Sequence, residues 1–408
     1  MSIQALRKSP EPPAATPRWR ALLGQIGPQL AEEGRRCDRA NEFVGANMAL
    51  LREHGFLELA VPAELGGAGL TRTELSAMLR ELAHYCGSTA LALAMHTHVA
   101  AAAAWRWRHQ KAPTDGLLKR VAAERIQLLS SGGSDWLLGS GKAVKVDGGY
   151  QVHACKVFAS GAPAANLFMT GAIEEDAPDG PAVLQFGVPM NAQGVSIIET
   201  WDTLGMRGTG SHDVLLDGVF VPDAAIGARR KPGVWHPLMH IVALVAMPLV
   251  YSVYAGIAEA ARNLAVETLA KRREPAVIAA LGALDTELAA TRIALDSMVA
   301  FAETAQPCPE TTNTIFIHRA LVCRDAIRTV DLALDAVGGA GYFRRLGLER
   351  LFRDVQGARY HPVQEQPQYI GRQPFKNVSI ANSDSEAFAY THSAINEGYR
   401  AVQDLPSL

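Results

Sequence analysis

Two short segments carry side chains suited to chemistry on a flat, polarisable partner. In Lys156-Val157-Phe158-Ala159-Ser160-Gly161, read as extended chain, alternation places Phe158 and Ser160 on one side, a flat apolar ring beside a hydroxyl donor. In Ser130-Ser131-Gly132-Gly133-Ser134-Asp135, small side chains and backbone N–H groups would let a loop approach a carbonyl or a phosphate closely. Gly338-Gly339-Ala340-Gly341 is a turn between helices, and no strand precedes it, so the dinucleotide-binding context is missing. His96 and His98 stand two apart on a helical segment and share no face, which excludes a helical metal pair. The five cysteines (Cys37, Cys86, Cys155, Cys308 and Cys323) have no CxxC spacing, so neither a disulfide framework nor a zinc site is signalled. A reducing, cytoplasmic compartment is the expectation.

The elements that must position these residues come in a clear order. Residues 18–124 read as an N-terminal helical domain: Leu75, Met78, Leu79 and Leu82 recur at helical spacing, and Thr71 with Glu74 predicts a capping box. Ser88 and Thr89 are expected to cap the next helix, from Leu91 to Trp107. Over 125–230, short apolar runs alternate with turn signals: 126–129, 143–146, 150–152, 167–170, 183–188, 214–216 and 219–221. Asp147-Gly148-Gly149 predicts a hairpin, and closely spaced strands without intervening helices predict an antiparallel barrel or sandwich. Helical periodicity returns over 231–380 as a C-terminal bundle, leaving 1–17 as a loose, Pro-rich tail without a signal-peptide core and 381–408 as a C-terminal tail. The fold class is therefore α+β, mostly α.

Bulk composition narrows the functions. With 408 residues, 48% hydrophobic and 20% charged, the chain is long enough for two or three packed modules and is not of disordered type. A net charge of −2 and no basic block give no reason to expect nucleic acid as a partner. From Gly233 to Ala258 there is no Asp, Glu, Lys or Arg, but two histidines and two prolines favour a buried core helix over membrane insertion.

Helices, strands and helices in this order resemble the acyl-CoA dehydrogenase superfamily, and four segments carry the resemblance. They are Leu51 to Phe56 with Val61 to Gly69, Trp201 to Ser211 followed by Asp217 to Pro222, Ala336 to Tyr342, and Leu348 to Asp354. The resemblance covers roughly residues 20–375 and implies a flavin, FAD or alternatively FMN, held where the β-domain meets the helices. It implies Phe158 against the isoalloxazine, Ser160 hydrogen-bonding near its N5 and O4, and Ser130 and Ser131 in a loop touching the flavin. It further implies Ser134 beside the substrate, and Gly338 and Gly339 close to the cofactor of a neighbouring subunit in a homotetramer or homodimer.

The resemblance leaves the chemistry open between two branches. Oxidation of an acyl thioester at Cα–Cβ needs a carboxylate base, and the Glu365, Ile370, Arg372 spacing makes Glu365 that base in one register. In the other register, His361 on the same loop is the functional residue, as in flavin monooxygenases similar to dibenzothiophene monooxygenase. Those enzymes carry Phe-x-Ser-Gly at the flavin face and a helical His near it, a substrate-side position that His96 or His98 would fill. The helix His240 to Ala246 has no carboxylate for the alternative base position and lacks the Asp and Arg with which many members hold CoA. A non-catalytic helical interaction protein, without cofactor, is the reading outside the family.

Overall fold

The computed structural model describes residues 17–361. Helix α1 (Pro17–Ala40) and α2 (Gly45–Glu53) lead to α3 (Arg72–Tyr85), which opens on the expected capping box: Thr71 Oγ1 accepts from the Glu74 amide, and the Glu74 carboxylate accepts from the Thr71 amide at 2.8 Å. Helix α4 spans Gly87–Gln110 and α5 spans Asp115–Glu124. Ser88 and Thr89 do not cap α4. Cys86 stands at the N-cap without a side-chain bond, and both hydroxyl residues lie buried inside the first turn. Their types suited a cap, but the helix starts upstream of both, at Gly87.

The middle of the chain forms a single hydrogen-bonded sheet of eight strands, curled as the barrel-or-sandwich reading expects. Its strands are β1 (Leu128–Ser130), β2 (Lys142–Val146), β3 (Gly149–Lys156), β4 (Leu167–Glu174), β5 (Ala182–Pro189), β6 (Val195–Ile198), β7 (Asp213–Pro222) and β8 (Ile226–Arg230). The order is β6-β7-β3-β2-β4-β5-β8, with β1 beside β4. Pairing is antiparallel except where β4 meets β1 and β2 in parallel. The hairpin at Asp147-Gly148 is present, with Val146 opposite Gly149 and Gly148 at φ +72°. The runs at 214–216 and 219–221 belong to a single strand, β7, which turns at Gly218 (φ +66°) opposite an irregularity at Val152/His153. Tyr150, Val152, Phe168, Leu184, Phe186, Val214 and Leu216 bury the sheet's inner face.

Helix α6 (Pro237–Thr268) is apolar nearly all round and is the one helix among the described residues long and apolar enough to cross a membrane. Its most apolar window is 94% buried, because α3, α4, α7 (Pro275–Thr304), α8 (Pro309–Val337) and α9 (Leu348–Val355) pack around it. One buried carboxylate on it, Glu259, gathers Arg80 and His84 of α3 and Arg292 of α7, and these partners hold it well below the usual carboxylate range despite burial.

Candidate active site

The strand β3 ends at Lys156, so Phe158 and Ser160 are not on extended chain as the alternation suggested. Phe158 takes a left-handed conformation (φ +63°), a strained choice for a bulky residue. The turn leaves the residue 56% exposed, its ring edge-on to Trp201 at 5.5 Å, while the adjacent Ala159 is fully buried. Ser160 follows at the start of a turn closed by Gly161 (φ +87°). The pair still presents a ring and a hydroxyl together, but a turn brings them there and not the pleat of a strand.

Behind them lies a buried brace. The Lys156 ammonium meets the Asp135 carboxylate at 2.8 Å, with both side chains nearly inaccessible, and also donates to the Ser140 carbonyl and hydroxyl, each at 2.8 Å. Ser140 in turn donates to the other Asp135 oxygen at 2.5 Å. The Arg230 guanidinium holds the Leu137 carbonyl at 2.7 Å and the Asp135 carbonyl. These bonds tie the Ser/Gly-rich loop to the strand end that leads to Phe158. At Gly132, a Cβ would lie 3.0 Å from the Val157 carbonyl, a tight contact that glycine avoids as the loop comes this near. Ser130 closes β1, and the Ser131 amide donates to Met169 at 3.2 Å, so that N–H is not available to a ligand. Ser134 lies in the short 3-10 turn Gly133–Asp135.

The two histidines of α4 are both buried and held neutral, with burial pushing each imidazole down to about 4. Their partners separate them. His96 Nε2 donates to the Leu57 carbonyl at 2.7 Å and Nδ1 accepts from the Leu128 amide at 2.9 Å, so both ring nitrogens are engaged by backbone. His98 Nδ1 donates to Ala94 within its own helix at 3.1 Å, which leaves the Nε2 lone pair facing the Ser130 hydroxyl at 3.5 Å. Of the pair, His98 is the one turned toward the Ser130 loop.

The segment between β6 and β7 supplies contacts that motif reading did not assign. Thr209 Oγ1 lies 2.7 Å from Ser211 Oγ, which lies 2.7 Å from Ser160 Oγ. Trp201 Nε1 donates to the Met206 carbonyl at 3.0 Å. The Met206 amide donates to the fully buried Asp354 carboxylate at 2.6 Å, and Arg353 bridges to Asp38 at 2.7 and 2.9 Å. Gly205 sits so close to this corner that a Cβ would fall 1.9 Å from the Arg353 carbonyl. The Trp201 to Ser211 and Leu348 to Asp354 motifs are therefore two halves of one joint.

Gly338 and Gly339 lie outside this cluster, in a short turn after α8, with open space where either Cβ would stand. Gly338 combines φ +69° with ψ −149°, a conformation open to glycine alone. Tyr342 and Phe343 beside them are 88% and 53% exposed. His361 is the last described residue and is half-buried. Glu365 falls outside the described residues.

An exposed ring on a strained turn, a hydroxyl beside it, a glycine that admits close backbone approach and a loop braced from behind suit a planar redox cofactor with hydrogen-bonding edges. They define a helix–sheet–helix flavoenzyme. The chain matches the acyl-CoA dehydrogenase N-terminal domain over residues 27–112, the middle domain over 130–219 and the C-terminal domain over 244–361. It belongs to the acyl-CoA dehydrogenase superfamily. L-evernosamine nitrososynthase of a Micromonospora species is 30% identical over 82% of this chain and 84% of its own. Dibenzothiophene monooxygenase of Rhodococcus qingshengii is 25% identical over 84% and 90%. The structure of KijD3 in complex with FMN and dTDP-3-amino-2,3,6-trideoxy-4-keto-3-methyl-D-glucose shares the fold, with a TM-score of 0.77 over 96% of each chain at 24% identity.

Proposed function

We propose that the protein is a flavin-dependent monooxygenase acting on a small organic substrate, with FMN preferred to FAD, and not an acyl-thioester dehydrogenase. The observation that carries this reading is the neutral His98–Ser130 pair on the helical side of the flavin-facing segment. The carboxylate next to that segment, Asp135, is committed to Lys156 and Ser140. The names of the similar proteins, a nitrososynthase and a monooxygenase, support oxygen chemistry, and the FMN held by KijD3 supports the cofactor. Reduced flavin supplies two electrons, so that one atom of O2 enters the substrate and the other leaves as water. Phe158 would lie against a face of the bound flavin, and Ser160 would offer its hydroxyl to the flavin's polar edge. His98 holds its proton on Nδ1 against Ala94, which makes Nε2 a proton acceptor toward Ser130 and whatever stands beyond it. The Lys156–Asp135 brace fixes the loop so that these groups need no reorganisation when substrate arrives.

Titration of the purified chain should show FMN binding more tightly than FAD. The FMN-loaded protein, reduced without air and mixed with O2, should transfer one oxygen atom from labelled O2 to an amine or aromatic substrate. His98→Asn should slow that transfer by roughly 10²–10³-fold with flavin binding kept. The dehydrogenase reading keeps one observation in its favour, the Glu365, Ile370, Arg372 spacing. Bleaching of the bound flavin by an acyl-CoA without air, abolished by Glu365→Gln, would replace the proposal with it.

A further inference from the structure

We propose that Arg106, Arg230 and His236 form a subsite for a phosphoryl group at the end of the substrate remote from the oxidised atom. This rests on the reading above in one respect, that the reacting atom stands beside His98 and Ser130. Arg106 follows His98 on α4 with Ala102 halfway between them, so the two positions lie about 12 Å apart along the helix. The Arg106 guanidinium has no hydrogen bond and no ion pair among the described residues, and its Nε is buried with nothing to donate to. Burial pushes its pKa down, and no carboxylate stands near enough to offset that.

Two further donors share this corner. Arg230 closes β8, where its Nη1 and Nη2 are taken by the Leu137 and Asp135 carbonyls, but its Nε is buried without an acceptor. The Gly233 amide donates to the same Leu137 carbonyl at 3.1 Å, which folds the stretch from Arg230 to His236 back on itself. His236 caps α6: its Nδ1 accepts from the Leu238 amide at 3.1 Å, so the neutral ring carries its proton on Nε2 and presents that N–H to its surroundings. Burial lowers the pKa of this imidazole, and the nearby charges of Arg230 and Arg106 lower it further.

The corner therefore offers donors alone, and its charges do not balance. Arg106, Arg230 and Lys156 stand against one carboxylate, Asp135, which already binds Lys156 and Ser140. The surplus is positive among the described residues, with Arg230 buried and Arg106 partly so. A cation taken out of water without a counterion is costly, so this arrangement calls for an anion. A phosphoryl group carries about −1.5 to −2 charge at neutral pH and three acceptor oxygens, one for each donor residue. A carboxylate has a single charge and two oxygens in one plane, which leaves a donor unmatched. The three residues bind and orient, so the remote end is held while the near end meets His98 and Ser130.

The test titrates inorganic pyrophosphate into the full FMN-loaded chain by calorimetry at physiological ionic strength, with acetate as the carboxylate probe. Pyrophosphate should bind without displacing FMN, and acetate should bind more weakly. Arg106→Leu should raise the pyrophosphate dissociation constant about tenfold, the loss of one charge-assisted contact, and leave the FMN constant unchanged. Arg106→Lys should recover part of the loss. Because Arg106 has no partner to lose, Arg106→Leu should keep or raise the urea midpoint, which a purely structural arginine would lower. Should Arg106→Leu fail to fold, Arg106→Gln removes the same charge and must weaken pyrophosphate in the same direction. No pyrophosphate binding by the native chain, or binding unchanged in a folded variant, overturns the subsite. So does a loss of FMN affinity in Arg106→Leu, which would assign the arginine to the cofactor's own phosphate. If the native chain binds no flavin, the functional reading falls instead, and pyrophosphate binding by the flavin-free chain still decides the subsite.

Discussion

Lys156 shows how one residue can matter through what it holds. Its ammonium is buried and lies against Asp135, a pairing whose desolvation cost is offset only because Ser140 and the Asp135 oxygens complete the bonds. Lys156→Met removes the cation and leaves the buried Asp135 carboxylate with the Ser140 hydroxyl but no opposite charge, so urea denaturation should show a loss of about 3–5 kcal/mol. The double variant Lys156→Met with Asp135→Leu should recover much of that loss, because no charge is then stranded. The motif around Phe158 was legible in the sequence as a ring and a hydroxyl two apart. The brace was not, since Asp135 and Lys156 are paired only by the fold. The same holds for Ser160 and Ser211, separated along the chain and joined by backbone bonds between the two segments.

At the scale of elements, α4 is fastened to the sheet by its histidines. His96 bonds the Leu128 amide at the head of β1 and the Leu57 carbonyl, and His98 meets Ser130 at its end. Both are neutral in the fold, with values lowered from 6.5 to about 4, so the unfolded chain binds more protons between those limits. Their contribution is complete above pH 6.5 and is lost as pH falls toward 4. Asp354 works in the opposite sense: burial raises it to about 6 from 3.8, so it favours the fold as pH falls through that window. Two histidines outweigh one aspartate, and between pH 6.5 and 5 the chain should lose roughly 2–3 kcal/mol. Urea denaturation across that range checks it, and His98→Gln should flatten the slope. A curve flat or rising toward acid would contradict the assignment.

For the molecule as a whole, we expect a homodimer or homotetramer. Tyr342 at 88% and Phe343 at 53% exposure stand beside Gly338 and Gly339, and Ile293 and Ile317 lie bare on α7 and α8. Exposed aromatics of this kind gain most when a partner surface covers them. Light scattering should report two or four chains, and Tyr342→Glu with Phe343→Glu should lower that number. A native monomer that still holds one flavin per chain would remove this expectation.

Taken alone, the sequence determined the order of helices, sheet and helices, the capping box at Thr71, the hairpin at Gly148 and the burial of α6. All of these follow from local periodicity, turn chemistry or a run without charge, which are properties of neighbours in the chain. The tertiary structure alone decided the start of α4, the single strand β7, the turn that carries Phe158, and which of two adjacent histidines meets the Ser130 loop. Each depends on contacts between residues far apart in sequence. His96 and His98 are the same residue type two positions apart, and what separates them is that Leu57 and Leu128 occupy both nitrogens of one while a helix carbonyl and Ser130 meet those of the other.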